Sequence, residues 1–259
     1  MSVDANQRVI EIHDGTAVLS AGGVYYRQLN EQIREAFAAG ARTVELNGVN
    51  GQRYIGCATG PGRIVIHGTP GNDLAMFGNG VEIVVHGNGQ DGVANTMNAG
   101  RVVIHGDAGD VLAHSMRGGT VLVRGEVGYR TGIHMKSYES KRPVVVIGGP
   151  GGDYLGEYMA GGLIIVLGLG RSPGQAISGI YTGTGMHGGK MYLADDIDPV
   201  RLGKEVGTSD LDETDRAELQ GYVQQYVTEF GGSVAEIMAR RFIKLLPVSR
   251  RPYGEIYVY

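Results

Sequence analysis

Gly62-Arg-Ile-Val-Ile-His-Gly68 is the first of four similar segments in which a short β-branched run lies between two glycines. The other three are Gly80-Val-Glu-Ile-Val-Val-His-Gly87, Gly100-Arg-Val-Val-Ile-His-Gly106 and Gly119-Thr-Val-Leu-Val-Arg-Gly125. Their closing glycines, at positions 68, 87, 106 and 125, are 19 residues apart each time, and looser copies follow at 143–149, 162–168 and 189–194. A fixed period near 20 residues with one short strand per unit is typical of a solenoid.

The repeat length also restricts how the strands can be joined. A unit of 19 residues is too short for a crossover helix plus a strand, which together need about 30 residues. Connections between parallel strands are overwhelmingly right-handed. The sequence therefore predicts an all-β solenoid, a right-handed parallel β-helix of about seven rungs. We place an αβ N-terminal cap at residues 1–47, the β-helix at 48–194 and a helical C-terminal extension with a tail at 195–259.

The segments outside the repeats supply the predicted cap and extension. A strand is possible at Val9–Ile12, and a helix is predicted at Tyr25–Ala39 because its apolar residues share one face. A strand at Ala41–Leu46 would complete the cap. Towards the C-terminus, helices are predicted at Asp212–Phe230 and Val234–Ile243.

Composition excludes several classes of protein. Glycine accounts for 45 of 259 residues, well above the usual share of about 7%. The net charge is −4 without a block of Lys and Arg, so we expect no nucleic-acid partner. The longest apolar run is too short to span a bilayer, and we see no signal peptide. Cys57 alone cannot form an internal disulfide, so we expect a cytoplasmic protein.

The alternation of side chains along each strand separates two faces. Residues such as Ile64 and Ile66 would point inward, together with a column of residues in the connecting segments. That column comprises Phe77, Met97, Met116, Met159 and Met186. The outward positions are unusually apolar for a surface in water, which indicates that they are covered by the terminal helices or by another subunit. The resulting candidates for a partner interface are Val65, His67, Val84, His86, Val103, His105, Leu122 and Arg124.

Other patterns suggest chemistry, but each has a simpler explanation. Gly183–Gly188 matches G-x-G-x-x-G, yet a strand follows it instead of the helix that a dinucleotide site needs. The outermost histidines of the ladder would lie about 10 Å apart, too far to share one zinc ion. Cys57 has no evident base and orienting group. The aspartates at positions 73, 91, 110 and 153 suit turns. We therefore assign no catalytic, cofactor-binding or metal-ligating residue.

Seven turn motifs, in order along residues 22–194, resemble the C-terminal GXGXG domain of the glutamate synthase large subunit, above all its stand-alone form. They are Gln52-Arg-Tyr-Ile-Gly56, Pro70-Gly-Asn-Asp73, Gln90-Asp-Gly92, Met116-Arg-Gly-Gly119, Gly128-Tyr-Arg-Thr-Gly-Ile-His-Met135, Gly156-Glu-Tyr-Met-Ala-Gly-Gly162 and Gly183-Thr-Gly-Met-His-Gly-Gly189. A β-helical component of formylmethanofuran dehydrogenase is a more distant likeness. The resemblance implies a right-handed β-helix with an architectural role.

The same resemblance implies partners. In that family the catalytic cysteine, FMN and the iron–sulfur cluster belong to other parts, so we expect no cofactor in this chain. A non-catalytic subunit would hold a glutaminase-type amidotransferase subunit and an FMN-dependent synthase subunit together, with self-association possible. The alternatives are a scaffold subunit of an N-methylglutamate synthase or formylmethanofuran dehydrogenase type complex, and an independent enzyme on the same broad fold.

Overall fold

A computed structural model describes residues 10–248 of the chain. Its strands are β1 (Ile12–His13), β2 (Thr16–Ser20), β3 (Thr43–Asn50), β4 (Gly62–Thr69), β5 (Asn79–His86), β6 (Ala99–Ile104), β7 (Gly119–Val123), β8 (Pro143–Ile147), β9 (Ala160–Val166), β10 (Gly188–Leu193), β11 (Val206–Asp210) and β12 (Ile243–Pro247). Its helices are α1 (Tyr26–Ala38), α2 (Glu213–Phe230) and α3 (Val234–Met238), with a 3₁₀ turn at Pro199–Arg201.

These strands form one sheet, in the order β1-β2-β3-β4-β5-β6-β7-β8-β9-β10-β12-β11. Pairing is parallel from β2 to β10 and antiparallel at both ends. The predicted fold class, an all-β solenoid of about seven rungs in a right-handed β-helix, is therefore wrong. The structure is a large, open, mixed sheet with helices. The 19-residue period specifies one strand per repeat, but it does not specify the antiparallel ends or the helices.

The repeat strands, β4 to β10, lie side by side. Ile64 is opposite Ile83, and Ile83 is opposite Val102, so equivalent residues of successive repeats face each other. These inner side chains are fully buried. The core therefore lies between the inner face of the sheet and the connecting segments that return from the end of one strand to the start of the next.

The connecting segments have an alternating backbone. In the second of them, Asp73, Ala75 and Phe77 all have φ near +60°. The amide of Ala75 donates to Ile55 O of the preceding segment at 2.9 Å, while the amide of Phe77 donates to Asn95 O of the following one at 2.9 Å. Each segment is thus hydrogen-bonded to both neighbours, and these bonds offset a left-handed conformation that costs roughly 1–2 kcal/mol per non-glycine residue.

The helices match the prediction only in part. Helix α1 and helix α2 lie where the sequence predicts helices. The predicted helix at Val234–Ile243 ends at Met238, because Ile243 begins β12, which pairs with β10. The predicted strand Val9–Ile12 falls partly outside the described residues, and the tail beyond Val248 falls wholly outside them. The domain boundaries at residues 47 and 194 stay a prediction.

The methionine column is correct except for Phe77. Met97, Met116, Met159 and Met186 are fully buried, whereas Phe77 is exposed. Between β5 and β6 the register shifts, with Asn79 opposite Ala99 and Val81 opposite Gly100. This irregularity at Gly80 moves Phe77 one position out of the column and onto the surface.

Gly68 should tolerate no side chain. Its φ is +130°, and a Cβ there would lie 2.1 Å from the carbonyl oxygen of Val49 in the neighbouring strand. We expect Gly68→Ala to lower the free energy of unfolding by more than about 2 kcal/mol, measured by denaturant titration. The control is Gly22→Ala, where no heavy atom lies within 4 Å of the added Cβ and the change should stay within about 0.5 kcal/mol. An equal loss in the free energy of unfolding for Gly68→Ala and Gly22→Ala would show that the close approach of Gly68 to Val49 does not limit the side chain at position 68.

Candidate functional site: the outer face of the sheet

The outward side chains of the repeat strands form a continuous apolar column. Val65 is opposite Val84, Val84 opposite Val103, and Val103 opposite Leu122. Val84 is 5% exposed, and Val103 and Leu122 are fully buried, whereas Val65 is only half-buried. The outer face is therefore covered over the later strands and open over the earlier ones.

Helix α2 covers the later strands. Its residues Leu219, Val223 and Tyr226 are buried, and the Tyr226 hydroxyl donates to Arg124 O at 2.9 Å. At the C-terminal end of the helix, Arg101 pairs with Glu229 at 2.8 Å. Of the eight predicted interface residues, Val84, Val103 and Leu122 are thus buried within the chain, whereas His86 and Arg124 are exposed.

A buried charge network fixes the other end of α2. Asp215 has a 4% exposed side chain and accepts hydrogen bonds from Lys190 Nζ at 2.7 Å and Tyr192 Oη at 2.6 Å, and it also pairs with Lys244. Burial alone would raise the pKa of Asp215, but the hydrogen bonds from Lys190, Lys244 and Tyr192 outweigh it and hold that pKa well below its usual range. The network links α2 to β10 and β12.

The part of the outer face that remains exposed is called here the open face. It comprises the outward side chains Val18, Glu45, Val65, His67 and His86, which come from β2 to β5. Val18 is 60% exposed. Glu45 and His67 pair across adjacent strands, with 3.0 Å between Oε1 and Nε2. The open face therefore combines the partly exposed Val18 and Val65 with charged and polar side chains between and beside them.

The predicted histidine ladder is present. The His67 and His86 rings stack with centroids 5.0 Å apart, His86 and His105 follow at 4.8 Å, and His105 meets the edge of Phe230 at 5.1 Å. Burial and the neighbouring His86 lower the pKa of His105. Between residues 10 and 248 no group of three or more His, Cys, Asp or Glu side chains is arranged to hold a metal ion.

The turn aspartates act between repeats. Asp91 accepts from the amide of Asp110, and Asp110 accepts from that of Tyr129, each at 2.9 Å. Asp153 likewise accepts from a backbone amide of a later segment, at 2.8 Å. The predicted turn role is right, but the bonded amides belong to the next repeat and not to the same turn. Asp73 differs, since it accepts from a side-chain amide at 3.1 Å. These carboxylates join successive turns instead of forming a catalytic pair.

The two remaining candidate motifs also lie in connecting segments. Gly183 and Gly185 have φ of +71° and +69°, and the segment leads directly into β10 instead of a helix. A dinucleotide-binding motif needs a helix directly after its glycines, and this segment has none. Cys57 is half-buried beside α1, and burial raises the pKa of its thiol.

Comparison with known proteins assigns the family. The GXGXG motif family matches residues 38–248. The chain belongs to the GXGXG family. Over 250 residues it is 43% identical to an uncharacterized protein of Methanocaldococcus jannaschii, spanning 93% of this chain and 95% of that relative. Its fold is similar to that of a solved structure of the formyltransferase/hydrolase complex of Methylorubrum extorquens with methylofuran. The TM-score is 0.58 and the identity 19%, over 78% of this chain and 73% of the other.

The outward positions are predicted to be covered by the terminal helices or by another subunit, and over the later strands of this GXGXG protein the cover is α2, through Leu219, Val223 and Tyr226. The feature that goes beyond the sequence predictions is the charge network around Asp215, which brings together residues from three separate segments. Across residues 10–248, no helix is both long and apolar enough to cross a membrane.

Removal of the Asp215 carboxylate should destabilise the GXGXG protein in a pH-dependent way. We expect Asp215→Asn to lower the free energy of unfolding by about 3 kcal/mol at neutral pH, because Lys190 and Lys244 lose a buried partner. The pKa of Asp215 is lowered on folding, so its contribution is present above the unfolded value of about 3.9 and is lost as pH falls further. Denaturant titrations from pH 7 to pH 2 should show the two proteins converging.

The matched control is Asp210→Asn, at an exposed aspartate of β11. It should leave stability within about 0.5 kcal/mol of the parent at every pH. A loss for Asp215→Asn that grows on acidification would contradict the charge network.

Proposed function

We propose that this protein is a non-catalytic structural subunit of a multi-subunit enzyme complex, and that a partner protein binds its open face. The supporting observation is the continuity of the outer column. Where α2 lies over Val103 and Leu122, the column is buried, but at Val65 it stays in contact with water. Beyond Val65 the open face continues across Glu45 to the exposed Val18. Exposed apolar surface next to an already covered stretch is typical of a subunit interface.

The fold comparison supports one class of complex first. The solved structure with a similar fold is a formyltransferase/hydrolase complex with methylofuran. A scaffold role in a one-carbon complex of the formylmethanofuran dehydrogenase type is therefore the first candidate. In this proposal the cofactors of the reaction lie in the partner subunits, and this chain supplies a rigid surface that fixes their relative positions.

A glutamate-synthase-type complex is the second candidate, and its support is the GXGXG family match over residues 38–248. The partners would then be a glutaminase-type amidotransferase subunit and an FMN-dependent synthase subunit that carries FMN and an iron–sulfur cluster. That assembly would transfer ammonia from glutamine to 2-oxoglutarate and reduce the imine. An N-methylglutamate synthase would use the same arrangement for a related product.

Affinity purification from the native source tests both the interface and the class of complex. We expect the tagged protein to retain defined subunits, identified by mass spectrometry, and the paired variant Val18→Glu with Val65→Glu to lose them. Each substitution replaces an apolar side chain of the open face with a carboxylate. A partner that covers the face would have to bury that charge, which lowers the binding free energy more than a charge at the edge of the interface would. Both new carboxylates lie opposite Glu45 on adjacent strands, so the unfolding temperature should fall modestly. The purification is therefore done at a temperature at which circular dichroism shows the variant to be fully folded.

The matched control is Val200→Glu, at a valine that is 78% exposed and lies in the 3₁₀ turn away from the open face. This variant should retain every subunit. Formyltransferase/hydrolase subunits in the eluate would favour the first candidate, and a glutaminase with a flavoprotein would favour the second. Self-association through the open face without any other subunit would contradict the proposal.

A further inference from the structure

A groove beside helix α1 carries features that the subunit role does not explain. It lies between α1 and residues 54–60 of the first connecting segment and has a volume of about 670 Å³. Its walls include Arg27, Arg34 and Phe37 of α1, facing Tyr54 and Cys57. Such a volume lies within the range of pockets that hold small organic ligands, about 300–1,000 Å³.

The groove is positively charged although the chain as a whole is negative. Arg27 and Arg34 are seven residues apart on α1, so they lie on the same side of the helix two turns apart. Glu31 also lines the groove, and Arg53 lies next to it on the connecting segment. Within residues 10–248 none of these three arginines forms an ion pair, in contrast to Arg101. Guanidinium groups bind carboxylates and phosphates through two parallel hydrogen bonds.

Aromatic rings from the two sides of the groove meet at one end of it. Tyr26 and Tyr54 have ring centroids 5.7 Å apart, and Tyr25 lies 4.6 Å from Tyr26. The Arg53 guanidinium lies over the Tyr26 ring, 5.3 Å from its centroid. Arg27 Nε donates to Tyr26 Oη at 3.3 Å. Tyr26 is therefore already contacted on several sides, and the ring of Tyr54 is the one that offers a planar group a stacking surface beside the cationic groups.

The groove is held in shape before any ligand binds. The Asn30 side chain donates to Arg53 O at 2.9 Å, which ties α1 to the connecting segment. Tyr54 and Ala58 have positive φ, and their amides donate to carbonyl oxygens of the next segment at 3.0 Å and 2.8 Å. Both walls are therefore anchored to the core, and a ligand would not have to order them.

From these observations we propose that the groove binds a planar organic anion. Its phosphate or carboxylate groups would contact Arg27 and Arg34, which lie on either side of Glu31 on the helix. Its ring would contact Tyr54. The guanidinium groups, which form no ion pair within residues 10–248, the ring of Tyr54 and the volume each match one part of that ligand. The site lies on α1, apart from the open face on β2 to β5, so it is independent of the proposed partner contact.

Cys57 provides a specific reporter for this site. It is the one cysteine in the chain and lines the groove, so modification of the protein by a thiol reagent follows a single position. We expect ATP and benzene-1,3,5-tricarboxylate, which represent the phosphate and carboxylate forms, to slow Cys57 modification in a saturable way. Adenosine supplies the ring without the anionic groups, and inorganic phosphate supplies the anion without the ring. Each should therefore protect Cys57 from modification much less than ATP does.

Arg34→Gln and Arg27→Gln should each weaken protection, with the apparent Kd raised at least about 10-fold by the loss of a charge-assisted hydrogen bond. Glutamine keeps the helix propensity of these exposed positions, and circular dichroism checks the fold. The matched control is Arg216→Gln, at an exposed position of α2, which should bind as the parent does. Absence of protection by both anions, equal protection by inorganic phosphate, or unchanged binding in the Arg27 and Arg34 variants would each overturn the proposal.

Discussion

Hydrogen bonds between the left-handed turns of successive repeats hold this molecule together. Every connecting segment of the repeats uses the same alternation of positive φ, so its amides point in turn to the preceding and the following segment, as Ala75 and Phe77 show. A single such turn would be strained, but a stack of them is stabilised by neighbours on both sides. The strands then lie in a fixed register, and the outer face becomes a regular surface on which α2 packs and to which we propose that a partner binds.

Much of this order can be predicted from the sequence. The period locates the repeat strands, and the alternation within each strand separates inner Ile64 from outer Val65. The predicted fold class is wrong, because a period describes only the repeating part and the mixed ends depend on contacts such as β10 with β12. The position predicted for Phe77 is wrong for a related reason, since the irregularity at Gly80 shifts the register of one strand by one residue.

The candidate site shows the same division. The alternation of side chains along each strand identifies an outward column that is too apolar for a surface in contact with water. It does not show which element covers each part of that column. Helix α2 buries Val103 and Leu122, while Val18 and Val65 remain accessible. The network around Asp215 that anchors α2 joins residues about 25 positions apart in the chain, and no local pattern records such contacts. The function proposed here follows from the part of the column that the chain leaves open.

Hydroxyl-radical footprinting of the complex purified from its native source, compared with the free chain, tests that claim most directly. It reports the accessibility of individual side chains without any substitution. The account predicts strong protection of Val18, Val65 and His67 in the complex, with unchanged labelling of Val200. Equal labelling of the open face in both states, with protection elsewhere on the surface, would contradict it.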